Sequence, residues 1–100
     1  MTAAELREIM SFLSRKVHLQ DQGADAGVVI GFSAPTAEEM NRAGLNPEGC
    51  SRILAAPWWD EMVADIVETP DMCDPDDPPE QVLQYARDVV TEYIRKRVPL

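Results

Sequence analysis

Apolar residues recur at intervals of three and four along much of this chain, the spacing of an α-helix with one buried face. The first such stretch carries Leu6, Ile9, Met10, Leu13 and Val17. Thr2 precedes it with Glu5 three residues on, a capping box that predicts where the helix starts. Arg15 and Lys16 complement the negative end of its dipole. Phe12 falls roughly 60° beyond Ile9 at about 100° per residue, so it needs cover from a loop or a partner.

From Gln20 to Ser33 the pattern changes. Gly23, Gly27 and Gly31 disfavour a helix interior, whereas Val28, Val29, Ile30 and Phe32 favour extended backbone. These residues predict a loop with a short buried strand, able to pair with Val17 to Leu19 across a Gly-containing turn. Helical spacing then returns. Thr36 and Glu39 read as a second capping box, and Gly44 stops the helix they open. Asn46 reads as an N-cap with Pro47 at the first helical position, predicting a helix through Ile53 and Leu54 toward Ala56.

Pro57 is expected to open the next helix, in which Trp59, Met62, Val63, Ile66 and Val67 form an apolar arc opposite Asp60, Glu61 and Glu68. Pro70 ends it. Asp71 to Pro79, rich in proline and aspartate, reads as a linker over the surface. A last helix opens near Pro79 and Glu80, with Val82, Leu83, Ala86, Val89, Val90, Tyr93 and Ile94 on one face and Glu92 placed to pair with Lys96. The fold predicted is all-α: a compact bundle of about four to five helices, with room for a short β-hairpin or strand near residues 17–32.

Composition bounds the rest. The chain has 100 residues, 45% hydrophobic and 27% charged, which describes a single globular helical domain over residues 1–100. Its longest stretch without a polar side chain, Ala26 to Phe32, falls far short of the roughly 20 apolar residues that cross a bilayer, so no membrane partner is expected. Glu5, Arg7 and Glu8 interrupt any leader-like apolar run, and the expected compartment is the cytoplasm, with Cys50 and Cys73 as reduced thiols.

The net charge of −9 is unevenly placed. Asp60, Glu61, Asp65, Glu68, Asp71, Asp74, Asp76, Asp77 and Glu80 lie in one segment that holds no Lys or Arg, while the other nine acids are matched by all nine bases. One reading is bland: Asp60 and Glu61 serve the first turn of a helix, Asp77 caps the last helix, and the others solvate a loop. The other is a negative patch that steers a protein with a basic surface. Trp58 belongs to that patch as a border residue, because a helical wheel places Trp59 at the centre of the apolar arc and Trp58 at its edge.

This charge disfavours direct nucleic-acid binding, which needs a basic surface. Thr36 to Leu54, with Gly44 in the turn, has a helix-turn-helix look, but Arg42 and Arg52 are its only bases. His18 beside Arg15 and Lys16 reads as a surface residue at a helix end, and Cys50 as a core thiol rather than a nucleophile. Asp71 and Asp74 flank Cys73 and oppose thiolate formation. Asp71, Cys73, Asp74, Asp76 and Asp77 lack the Gly and Glu of a calcium loop, and no metal or other cofactor is expected.

The sequence therefore predicts a protein-binding module, an adaptor, inhibitor or regulatory factor, acting through residues 60–80. A nucleic-acid mimic that blocks a DNA- or RNA-binding protein is the second reading, and a thiol- or metal-dependent enzyme built on Cys50 or His18 the third. A homo-oligomer stays open.

Overall fold

The computed structural model describes residues 1–20 and 27–99. Residues 21–26 of the Gly-containing turn predicted between the two strands lie outside them. In chain order the elements are α1 (Ala3–Arg15), β1 (Val17–Gln20), β2 (Val29–Phe32), α2 (Ala37–Arg42), α3 (Pro47–Leu54), α4 (Trp59–Glu68), a 3-10 turn (Thr69–Met72) and α5 (Pro79–Arg97). The described residues are thus mostly helical, with five α-helices and one two-stranded antiparallel sheet.

The first three helices begin where side chains take up free backbone N–H groups. Thr2 Oγ1 accepts from Glu5 N at 3.1 Å while Glu5 Oε1 accepts from Thr2 N at 2.8 Å, a complete capping box. Thr36 forms only half of one. Its hydroxyl accepts from Glu39 N at 3.1 Å, but the Glu39 carboxylate turns to Lys16 Nζ at 2.9 Å. Gly44, at φ +80°, ends α2 in the left-handed conformation that side chains resist. Asn46 caps α3 by accepting from Gly49 N at 2.9 Å, and its Nδ2 donates to Glu5 Oε2 at 2.8 Å, which ties the starts of α1 and α3 together. Gly49 lets them meet, because the Met1 and Ile9 side chains occupy the space a Cβ would need.

The hairpin pairs Val17 with Phe32 and Gln20 with Val29. It is no ornament on a helical bundle: β2 packs on α4 and β1 on α5, and Val17 and Ile30 are buried in the core. That core is one cluster with members from all five α-helices and both strands, among them Ile9, Leu13, Met40, Ile53, Ile66 and Ile94. Val17, predicted as the last residue of the helical stripe, reaches the core from β1 instead. Phe12 is half-buried against the core and flanked by cations at the end of α1, with Lys16 Nζ at 5.1 Å and Arg15 Cζ at 5.9 Å from the ring centroid. Arg87 on α5 reaches back across the chain, its Nε donating to Ser14 O and its Nη2 to Val17 O, both at 3.1 Å. It thereby supplies donors to one carbonyl in the last turn of α1 and one at the start of β1.

The tryptophans depart from the wheel. The helix starts at Trp59 rather than Pro57, and Trp58, with φ −91° and ψ 1°, precedes it in a turn. Helical angles therefore do not relate the two rings, and both are half-buried against the core. Trp59 tilts against Phe32 at 5.8 Å between centroids, and Trp58 lies at 6.0 Å and 34° from Tyr93.

Candidate functional site: an acidic groove between α4 and α5

Pro70 cannot continue the hydrogen bonding of α4, so α4 stops at Glu68 and the chain tightens into the 3-10 turn. Thr69, buried at this junction, donates its hydroxyl to Asp65 O at 2.9 Å. After Cys73 the chain folds on itself. Asp77 N donates to Asp74 O at 3.0 Å, Asp74 N to Asp77 Oδ2 at 3.2 Å and Asp76 N to Asp74 Oδ1 at 3.2 Å. Asp77 therefore closes this turn and does not cap α5, whose N-cap position is Pro78 without a side-chain bond. The predicted linker is in its first part a 3-10 turn and in its second a closed, hydrogen-bonded loop flanked by prolines.

Between this segment and α5 lies an open groove of about 600 Å³. Met72, Tyr85 and Val89 supply apolar surface, with Met72 87% and Tyr85 43% exposed. Four acids from the 60–80 segment line it: Asp65 and Glu68 from α4, Asp74 and Asp77 from the loop. Glu92 of α5 also faces it, but its carboxylate is held by Lys96 Nζ at 2.9 Å, a contact that lowers its pKa. Among the described residues, none of the nine acids from Asp60 to Glu80 takes part in a salt bridge; the four that form use Glu38, Glu39, Glu48 and Glu92.

Tyr93 forms part of the wall. Its hydroxyl donates to Asp65 Oδ2, the Arg97 guanidinium lies 4.3 Å from its ring centroid, and Trp58 stacks beside it. Burial, then the bond to the Asp65 carboxylate, pushes the phenol up to about 12. A phenol that donates to a carboxylate resists ionisation because losing its proton would set two negative charges together.

The structure thus divides the residues singled out in the sequence. Asp65, Glu68, Asp74 and Asp77 share the groove, while Trp58 lines no part of it and packs against Tyr93, which does. Asp60, Glu61, Asp71 and Asp76 are exposed and line no part of it. Met72, Tyr85, Val89 and Tyr93 were not singled out as site residues. Met72 lies in the proline-rich segment with no periodicity to assign it a face, and Tyr85 sits just off the buried stripe of α5.

The other chemical candidates fare differently. Cys50 is fully buried, and desolvation pushes its thiol up, opposing a thiolate despite its place near the start of α3. Cys73 is half-buried and also raised, by desolvation first and then by Asp77 rather than by Asp71 and Asp74. His18 lies in β1, not at a helix end, so the helix-dipole reading lapses. Its Nδ1 is 3.1 Å from Lys16 O, which can only accept, so that nitrogen carries the hydrogen. The helix-turn-helix candidate, α2 and α3, has both bases paired, Arg42 with Glu38 at 2.6 Å and Arg52 with Glu48 at 3.6 Å. Among the described residues no three His, Cys, Asp or Glu side chains come together as a metal-binding group, and no helix is long and apolar enough to cross a membrane.

Compared with protein-family models, with curated proteins and with solved structures, the chain matches none.

Proposed function

We propose that this protein works by binding another protein, through the groove between α4, the Asp74–Asp77 loop and α5, and that the partner presents a basic surface. The observation that carries this reading is the coincidence of acids left without cations and apolar side chains left without cover in one concave place. Acids that only solvate a loop gain nothing from surrounding a methionine that is 87% exposed. Exposed apolar surface rimmed by charge is characteristic of interaction sites. The field of the segment would raise the encounter rate with a cation-bearing surface, screened over roughly 8 Å at physiological salt.

A nucleic-acid mimic would use the same acids differently, as a row of charges in place of phosphates. Asp60, Glu61, Asp65 and Glu68 on α4 offer such a row, but the apolar surface of the groove has no counterpart in a phosphate backbone. That difference favours an ordinary protein partner. The raised thiols of Cys50 and Cys73 favour binding over thiol catalysis.

Affinity capture with the intact chain and with Asp71→Asn/Asp74→Asn/Asp76→Asn/Asp77→Asn tests the reading. A physiological partner should associate more slowly with the variant and with a shallower salt dependence. Unchanged affinity and salt slope would mean that the loop acids only solvate the chain.

A further inference from the structure

The groove joins two chemistries that select a narrower partner than charge alone would. Met72 and Tyr85 offer an apolar patch, and acids from two separate elements share the groove with it: Glu68 on α4, Asp74 and Asp77 on the loop. A purely cationic surface would neutralise the rim and leave Met72 in water. A purely apolar one would strip water from carboxylates without replacing it. Only a segment that places an apolar group between cations satisfies both.

We propose that the occupant is a protein segment in which one large aliphatic or aromatic side chain is flanked on both sides by Lys or Arg. The apolar side chain lies on Met72, Tyr85 and Val89, and the flanking cations reach Glu68 of α4 and Asp74 and Asp77 of the loop. The inference deepens the binding function proposed above and rests on it. The loop's three internal hydrogen bonds hold Asp74 and Asp77 in place before anything binds, which limits the ordering cost of association. Glu92 contributes less than its position suggests, because Lys96 already holds it.

Three short peptides of equal length and charge test this with the intact protein: one with a Leu between pairs of Lys and Arg, one with that Leu replaced by Ser, and one with the Leu moved to the end. At about 0.15 M salt, isothermal titration should find the first at least about tenfold tighter than the other two, the size of burying one aliphatic side chain. Met72→Ser should remove most of that advantage. Glu68→Gln/Asp74→Asn/Asp77→Asn should weaken all three, with melts confirming that both variants stay folded. Equal affinity for the three peptides, or an advantage that survives Met72→Ser, would overturn the inference. If the acid variant still weakened binding, the acidic groove would stand as a binding site without the apolar selection. If no peptide bound, the inference would fail, and capture of the physiological partner would judge the broader function separately.

Discussion

Two parts of this molecule use charge in opposite ways. In the part built from α1, α2 and α3, every helix start is capped by a side chain, and acids are matched by Lys16, Arg42 and Arg52. In the part built from α4, the 3-10 turn and α5, no element has a side-chain cap, and the acids from Asp60 to Glu80 meet no cation. Surface ion pairs are worth little individually, and caps about 1 kcal/mol each. The contrast therefore matters less for stability than for what remains available: the first part's polar groups are occupied by the fold, and the second part's are left to a partner.

The largest expected effect lies beneath both parts, where they share one core. Ile9→Ala in α1 and Ile66→Ala in α4 should each cost about 2 to 5 kcal/mol in denaturant unfolding, since both side chains are fully buried. A large cost at one site only would show that the two parts do not unfold together.

The tryptophans come next. Each ring is half-buried on an aromatic neighbour, so burial of about half of roughly 200 Å² gives about 2.5 kcal/mol for each of Trp58→Ala and Trp59→Ala. The helical wheel demands a severe loss at Trp59 and a slight one at Trp58. Comparable thermal shifts would support the turn at Trp58, and a wide gap would restore the wheel.

Caps sharpen the comparison further. Asn46→Ala removes the α3 cap and the link to Glu5, and should cost about 1 to 2 kcal/mol. Asp60→Ala, near the start of α4, should stay within about 0.5 kcal/mol by the same melt, as a surface change without a partner does. The bond from Asn46, then those from Thr2, lower the Glu5 pKa in the folded state. That contribution is present above the ordinary carboxylate range and is lost as pH falls through the lowered value, so Glu5→Gln should flatten the acid limb of the stability curve.

Tyr93 titrates the other way, with a smaller effect at neutral pH. Its neutral form is favoured by folding, so its contribution is complete below pH 10 and fades as pH rises toward about 12. Tyr93→Phe should cost about 1 kcal/mol at neutral pH, because exposed Asp65 regains water, and should remove this alkaline loss. A Tyr93 phenol that ionised near 10 in an absorbance titration would contradict the bond to Asp65.

Local chemistry was legible in the sequence where local groups decide the structure. Thr2, Thr36 and Asn46 mark the helix starts they were expected to mark, Gly44 a helix end, and Val28 to Phe32 the neighbourhood of a strand. What escaped depends on groups far apart in the chain. The Glu39 carboxylate leaves its capping box because Lys16 lies opposite it, and the Asn46 amide serves Glu5 across 41 residues. Of the candidate site, the density of acids could be read directly. Their grouping around Met72 and Tyr85 could not, because it arises from the crossing of α5 past the 3-10 turn.

Arg87 has a further consequence, for the order in which the molecule can be made. The carbonyls of Ser14 and Val17 wait for a guanidinium about 70 residues later in the chain. As the chain leaves the ribosome, α1 and the hairpin remain unfinished until the first half of α5 has emerged. Such a long-range closure slows folding, and it makes the final helix the step that commits the earlier elements to their places.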